Sequence, residues 1–409
     1  MTIMTSTAFT SIDPRSPATW LVLGSGVLAL AVAMGIGRFA FTPLLPLMLR
    51  DGTLSAATGA EWAAANYGGY LAGAMTASWF SADPQRGLRL ALLGVALTTL
   101  AVAAIDGSAL GLGGAVLRAA AGVFSAWALV CTSSWCLAEL ARRRAPHLGA
   151  WVYTGVGLGI ALAGALAWLG GRQSARALWL ELGLVAAAGF VLVAASRRTS
   201  PACVAAQVAS PPADVSRGHF ALVLCYGILG FGYIVPATFL PAMAQQQVAD
   251  PRVFGLTWPV FGLAAALSVA AVAHWLSAWP RRRVWALAHA AMALGTALAL
   301  VSQSLGSLTA SAVLVGGTFM VATMAGLQLA REQLPSNPTS LLAKMTAAFA
   351  TGQIAGPLLV RAIGADRSVA GWDALSWANA IATVLLGATA LWLWRKAGSS
   401  ATSTSKPSP

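Results

Sequence analysis

The stretch GIGRFAFTPLLP at residues 35–46 recurs, with changes, as GFGYIVPATFLP at residues 230–241. Four positions are identical between the two stretches, including both glycines and the final proline. Two shorter pairs recur at almost the same offset: GVF at 122–124 with GTF at 317–319, and TGVGLG at 154–159 with TGQIAG at 351–356. Three ordered matches at nearly one offset predict a chain built from two copies of one unit.

Composition places both copies in a lipid bilayer. Of 409 residues, 58% are hydrophobic and 9% charged, with a mean hydropathy of +0.73. A soluble domain carries roughly 25% charged residues, so a soluble enzyme, a disordered protein and a disulfide scaffold are excluded. A membrane span needs ~20 mostly apolar residues. We predict twelve transmembrane helices: Ala18–Leu49, Ala57–Phe80, Leu88–Ile105, Leu110–Leu140, Leu148–Leu169, Ala177–Ala195, Phe220–Ala244, Val253–Trp279, Val284–Val301, Leu308–Ala330, Leu341–Ile363 and Trp372–Trp394.

The distribution of Lys and Arg predicts that both termini are cytoplasmic. With the N-terminus inside, sixteen of the 25 Lys and Arg residues lie in cytoplasmic segments, six lie on the opposite side and three lie inside spans. Cytoplasmic loops collect such residues. Because an even number of spans keeps both copies in one orientation, we expect parallel repeats with a binding site where they meet. The predicted organisation is a cytoplasmic tail (1–17), a six-helix bundle (18–196), a cytoplasmic linker (197–218), a second six-helix bundle (219–395) and a disordered tail (396–409).

The duplicated twelve-span pattern with a central linker resembles the major facilitator superfamily from about Ala18 to Trp394. GIGRFAFTPLLP, together with NYGGYLAG at residues 66–73, looks like the bacterial YbfB/YjiJ-type branch of that superfamily. The resemblance implies an all-α integral membrane protein with two pseudo-symmetric six-helix bundles. It also implies a multi-pass transporter of the bacterial inner membrane, and it supplies no substrate.

The superfamily's loop after the second span carries an acidic residue followed by Arg, Gly and basic residues. Here Asp83, Arg86 and Arg89 occupy these places, so the resemblance implies a gating role for them. The pattern is degenerate, because Trp79 replaces the usual glycine and Pro84 the usual Arg. Whether this loop still gates therefore stays open.

Two further motifs match the superfamily within spans. Arg118, with Gly122 four residues later, fits the pattern of the fourth span. Gly155 and Gly159 match the glycine-rich fifth span loosely, without its proline. The resemblance assigns these glycines to a gating motif.

Arg38 is the main candidate for a functional side chain. It lies about 18 residues into the first span, too deep to reach the cytoplasm by a simple extension of its side chain. A charge at that depth costs ~2.5–3.5 kcal/mol on insertion scales, so such residues usually face a cavity or a partner. Arg38 either binds an anionic group of a substrate or serves as a structural cation. Its repeat mate is Tyr233, which suggests that the two copies offer different groups to one central site.

Other polar residues inside spans are candidates for the same cavity. Asn66 and Tyr70 are four residues apart and share one helical face. Arg118 either lines the cavity or reaches the outer interface, and Gln353 either meets a substrate or satisfies a neighbouring backbone group. The predicted cavity residues are Arg38, Asn66, Tyr70, Arg118, Tyr233 and Gln353.

Candidate gating residues lie away from this centre. Pro43 and Pro46 remove backbone donors from the outer part of the first span, which could bend there. At cytoplasmic span ends, Glu139 could pair with Arg142, and Asp83 with Arg86, to latch an inner gate; solvated loop charges are the alternative.

Motifs for other chemistries are absent from the sequence. It has no G-x-x-x-x-G-K-[ST] phosphate loop, no HExxH motif and no His/Cys cluster at ligand spacing, so we predict no cofactor, no metal site and no enzymatic activity. Its basic residues sit in short loops without a basic face, so we predict no nucleic-acid partner. We expect a monomer in the bilayer that binds a small-molecule substrate; a coupling proton stays open, because no acidic residue lies clearly mid-span.

The sequence therefore favours a secondary transporter of a small polar or anionic solute, working by alternating access between two bundles. The in-span charges are all positive, which is the reason for expecting an anionic group. Two alternatives remain open: a multidrug or metabolite efflux carrier of the same fold, and a non-transporting membrane sensor or assembly factor.

Overall fold

A computed structural model of the chain describes residues 16–105, 110–196, 217–247, 256–302, 304–335, 337–363 and 370–403. These residues form helices and connecting turns and contain no β-strand, which confirms the all-α prediction. The main helical segments of the described residues are α1 (Pro17–Arg50), α2 (Ala56–Thr76), α3 (Pro84–Ala104), α4 (Leu110–Arg142), α5 (Pro146–Leu169), α6 (Ala175–Ala195), α7 (Arg217–Gln247), α8 (Thr257–Trp275), α9 (Arg281–Val301), α10 (Leu305–Gln333), α11 (Thr339–Ile363) and α12 (Ala374–Ser403).

Ten of these helices are long and apolar enough to cross a membrane, so the chain is a multi-pass membrane protein. The other two are α2 and α11, which are the more polar helices and carry several of the candidate cavity residues. These two helices pack against each other. That they also span the bilayer, for a total of twelve, stays a prediction.

Side-chain caps start several helices where the sequence places a small polar residue. Ser55 accepts a hydrogen bond from the backbone N–H of Thr58 at 3.1 Å at the start of α2. Ser174 accepts one from Ala177 at 3.2 Å at the start of α6. Such caps satisfy backbone donors that the first helical turn leaves unpaired.

The predicted ends of the chain differ in how far the structure describes them. Residues 1–15 and most of the linker, residues 197–216, lie outside the described residues. The tail expected from residue 396 begins as a continuation of α12, which runs to Ser403.

The helix contacts repeat between the two halves of the chain. In the first half, α1 packs on α5, α2 on α4, and α3 on both α4 and α6. In the second half, α7 packs on α11, α8 on α10, and α9 on both α10 and α12. Each second-half pair is the first-half pair shifted by six helices, as expected from a duplicated unit. The halves meet where α5 packs on α8 and α2 on α11.

The contact between α5 and α8 requires small residues. A Cβ atom on Gly157 would overlap the backbone of Ala266, and one on Gly262 would overlap the backbone of Ala161. Membrane helices approach closely through such residues. The two bundles therefore meet backbone to backbone along this pair of helices.

Candidate functional site

Arg38 lies in a π-helical segment of α1, Ala31–Phe39, that interrupts the helix predicted as continuous. Only 3% of the residue is exposed. Its Nη2 donates a hydrogen bond to Oε1 of Gln353 on α11, a residue that is itself fully buried. The contact joins the two bundles at the centre of the molecule, and it brings together two residues that the sequence analysis predicted separately.

Four aromatic rings surround the guanidinium of Arg38; we call them the aromatic enclosure. The guanidinium carbon lies 3.7 Å from the ring centroid of Tyr70, a predicted cavity residue. The other three centroids lie 5.4–5.8 Å away and belong to Phe39, Tyr67 and Phe349. Rings at this range stabilise a cation through their negative faces. Aromatic faces therefore contribute to the stabilisation of the Arg38 cation.

Several polar atoms at this centre have no hydrogen-bond partner among the described residues. They are Nε and Nη1 of Arg38, Nε2 of Gln353 and the hydroxyl of Tyr70. The three nitrogens are donors only. In the described part of the chain, no carboxylate forms an ion pair with Arg38. Because buried donors without acceptors are costly, the centre is chemically suited to an anionic acceptor.

Side chains of α4 hold the π-helical segment of α1. Arg118 donates from Nη1 to the carbonyl of Gly37 and from Nη2 to that of Arg38, both at 3.0 Å. Ser125 donates to the carbonyl of Ala33 at 2.7 Å. The seven-residue spacing of Arg118 and Ser125 puts them on one face of α4. Wide π turns leave carbonyls poorly placed for the helix's own donors, and these two side chains supply substitutes.

Both terminal nitrogens of Arg118 thus donate hydrogen bonds to the backbone of α1, and the residue is only 2% exposed. It does not extend to the outer interface. Asn66 donates from Nδ2 to the carbonyl of Arg118 at 2.9 Å and ties α2 to α4. Both predicted cavity residues therefore support the site from within the first bundle.

The predicted glycines bring α5 against the π-helical segment. A Cβ atom on Gly159 would overlap the carbonyl of Ala31, and one on Gly155 would overlap that of Val27. Gly35 in turn faces the backbone of Gly159. Close packing of the two backbones explains why glycine is needed at these positions. A gating role for these glycines stays a prediction.

Tyr233, which corresponds to Arg38 in the second repeat, packs against Phe349 of the aromatic enclosure. Its ring stacks on Phe349 at 6.1 Å and on Phe319 at 4.7 Å, with interplanar angles of 16° and 18°. Phe261 continues this stack beyond Phe319 at 5.5 Å. The second bundle thus presents a set of nearly parallel rings, which ends at Phe349 beside Arg38.

The predicted gating residues make contacts within their own bundle. Asp83 accepts a hydrogen bond from the backbone N–H of Arg86 at 3.0 Å and caps α3. Glu139 pairs with Arg142 at 2.9 Å and with Arg143 at 2.6 Å, all at the end of α4. Further members of the predicted set lie in the outer part of α1 (Pro43, Pro46) and near the start of α3 (Arg89). A latch between bundles built from these residues stays a prediction.

A cross-bundle contact that the sequence analysis missed lies near the ends of α4, α10 and α11. The hydroxyls of Ser134 and Thr339 are 3.1 Å apart. Arg331 donates from Nη1 to the carbonyl of Ser134 at 2.9 Å. In the sequence, Arg331 is one of many charged residues in loops. No sequence pattern predicts that Ser134 and Thr339 form a contact.

Comparisons with known proteins agree with this architecture. A family model described as "Uncharacterised MFS-type transporter YbfB" matches residues 30–393. No protein with a curated description matches the sequence. The crystal structure of the human organic anion transporter MFSD10 (TETRAN) is similar with a TM-score of 0.73 at 15% identity, over 92% of this chain and 100% of that one. The proton:xylose symporter XylE, bound to 6-bromo-6-deoxy-D-glucose, is similar with a TM-score of 0.71 at 12% identity, over 92% of this chain and 95% of that one. At these identities the two structures show a common fold.

Proposed function

This chain belongs to the YbfB-type family of major facilitator transporters, and from that premise we propose that it carries a small polar or anionic solute by alternating access between its two bundles. The membrane is the bacterial inner membrane, with both termini in the cytoplasm. The protein acts as a monomer and as a secondary transporter, without enzymatic activity.

One observation carries the proposal: a buried cation with unpaired donors sits on the central contact between the two bundles. Arg38 belongs to the first bundle and Gln353 to the second. A solute bound at this point touches both bundles, so its arrival changes the contact that joins them. Parallel-repeat transporters place their substrate at such an interface.

The helix contacts support rocking of one bundle against the other. Within each half, helices pack in the same repeated pattern, whereas the halves meet along α5–α8 and α2–α11. The small residues Gly157 and Gly262 let the backbones of α5 and α8 approach closely. Two firm bundles joined along such surfaces suit a rigid-body motion.

A binding screen followed by a flux assay tests the proposal. Purified protein is heated with a panel of sugars, amino acids, carboxylates and amines, and compounds that raise its melting temperature are assayed for counterflow in proteoliposomes. We expect at least one compound to exchange across the membrane, and we expect Arg38→Ala to abolish that exchange while the protein still inserts.

Arg283→Ala is the matched control. Arg283 also lies over an aromatic ring, with its guanidinium carbon 5.5 Å from the ring centroid of Trp394, but it is remote from the centre. Its loss should leave flux intact. Full exchange by Arg38→Ala would refute the role of Arg38, and a panel without any exchanged compound would refute transport.

A further inference from the structure

The unpaired atoms around Arg38 define a ligand chemistry, and the inference rests on the transport function proposed above. We propose that the solute is an organic monocarboxylate with a flat apolar body, and that its carboxylate replaces the amide oxygen of Gln353 on Arg38. In the state described here, the amide oxygen of Gln353 would thus occupy the position that the carboxylate of the solute takes when it binds.

The geometry of a guanidinium decides the exchange. A carboxylate binds arginine most strongly through two parallel N–H···O bonds. Two pairs of nitrogens allow this, Nη1 with Nη2 and Nε with Nη2, and both pairs include Nη2. In Arg38, Nη2 is the nitrogen bonded to Gln353, while Nε and Nη1 have no partner among the described residues. Nη2 carries two N–H groups, one in each pair, and the oxygen of Gln353 accepts from one of them. A carboxylate that binds through the pair containing that N–H displaces Gln353 and satisfies one unpaired nitrogen.

Charge favours the solute over Gln353. The amide oxygen is neutral, whereas a carboxylate brings a full negative charge to a buried cation that has no carboxylate partner within the described residues. The attraction between opposite charges adds to the hydrogen bonds, and it is screened less in a buried site than in water.

One carboxylate is enough to match the available charge. Arg118 is the second buried guanidinium nearby, and it already donates both terminal nitrogens to the carbonyls of Gly37 and Arg38. Of its nitrogens only Nε has no partner among the described residues, whereas Arg38 has two such nitrogens, so Arg118 offers fewer donors to a second carboxylate. A monocarboxylate fits the donors of this centre better than a dicarboxylate.

The surroundings of the cation select the rest of the solute. The aromatic enclosure brings four ring centroids to 3.7–5.8 Å from the guanidinium carbon. Behind it, Phe349, Tyr233 and Phe319 are nearly parallel. Aromatic faces favour flat apolar groups, since ring pairs contribute ~0.5–1.5 kcal/mol beyond buried area. An aromatic carboxylate therefore fits better than a sugar or an amine.

The first test uses the unmodified full-length protein in lipid nanodiscs. Phenylacetate, its neutral isostere phenylacetamide, the cation phenethylamine and the short anion acetate are compared by calorimetric titration. We expect phenylacetate to bind ~10-fold or more tightly than each of the others. Equal binding of phenylacetamide would overturn the carboxylate requirement, and equal binding of acetate would overturn the apolar body.

The second test addresses displacement of Gln353. Gln353→Leu removes the competing oxygen and should tighten phenylacetate binding several-fold. Gln353→Glu places a carboxylate on Arg38 permanently and should weaken binding ~10-fold or more. Gln328→Leu is the control, since Gln328 is another buried glutamine of the second bundle. Unchanged binding by Gln353→Glu would contradict displacement.

Counterflow of phenylacetate separates this inference from the proposed function. Arg38-dependent binding without exchange would leave the ligand chemistry standing and refute transport. Exchange of a different class of compound, with no phenylacetate binding, would leave transport standing and refute the ligand chemistry.

Discussion

Two buried arginines, Arg38 and Arg118, have opposite surroundings, and their removal should have opposite effects on stability. We expect Arg38→Met to raise the apparent melting temperature, because a charge inside a span costs ~2.5–3.5 kcal/mol on insertion scales and Arg38 has no anionic partner among the described residues. We expect Arg118→Met to lower it, because two buried carbonyls of α1 lose their donors at ~1–3 kcal/mol each. Thermal unfolding followed by tryptophan fluorescence measures both.

Arg283→Met is the control for both variants. It removes an arginine at the edge of the second bundle and should change the melting temperature little. If Arg38→Met destabilised the protein as much as Arg118→Met, Arg38 would be a structural cation. The opposite signs are thus what distinguishes a binding residue from a scaffold residue.

At this scale the sequence identifies candidates but not their partners. Arg38 and Gln353 were each predicted because a polar group inside a span needs a reason, yet 315 positions separate them. Their contact depends on how α1 meets α11, which no local pattern encodes. Phe349 was missed, although it lies one helical turn before Gln353 on the same face. Spacing to a known candidate was the available signal.

Among the elements, the loops after α1 and after α5 are tied by a small ionic cluster. Asp51 accepts a hydrogen bond from the backbone N–H of Ala175 at 2.7 Å, at the start of α6. Arg50 contacts Asp51 at 2.8 Å and the carbonyl of Gln173 at 2.6 Å. Burial alone would raise the pKa of Asp51, but Ala175 and Arg50 outweigh it and hold that pKa below its usual value.

This lowered pKa predicts a pH-dependent contribution to stability. A carboxyl with a lower pKa in the folded state stabilises fully above its unfolded pKa, about 3.9, and the effect is lost as pH falls through the folded value. We expect Asp51→Asn to melt below the wild type at pH 6, with the difference shrinking towards pH 3. A difference that stayed constant with pH would contradict the charge-based explanation.

Most helices could be predicted because each needs only an apolar run long enough for the bilayer. The π-helical segment of α1 could not. Its cause lies in side chains of another helix, Arg118 and Ser125, which donate to its carbonyls. Pro43 and Pro46 signalled an irregularity in the outer half of α1, whereas the π turns precede them.

For the whole molecule, the duplication was visible in three short sequence matches, and the contacts of helices α1–α6 recur six helices later in α7–α12. Where the bundles touch at their ends was not visible. The contact of Ser134 with Thr339, supported by Arg331, joins polar residues whose partners depend on the relative placement of the two bundles.

That contact makes a prediction about motion. The charge distribution predicts that the ends of α4 and α10 lie on the cytoplasmic side. In that orientation the contact closes the cytoplasmic side in the described state, and the proposed alternating access requires it to open. In a background without native cysteines, a disulfide between Ser134→Cys and Thr339→Cys should stop counterflow, and reduction should restore it.

The matched control joins Thr296→Cys to Thr383→Cys, because these hydroxyls are 2.8 Å apart but both lie in the second bundle. Its disulfide should leave flux unchanged, since bundles that move as rigid bodies keep their internal distances. Equal inhibition by both pairs would mean that motion within a bundle, and not between bundles, carries the solute across.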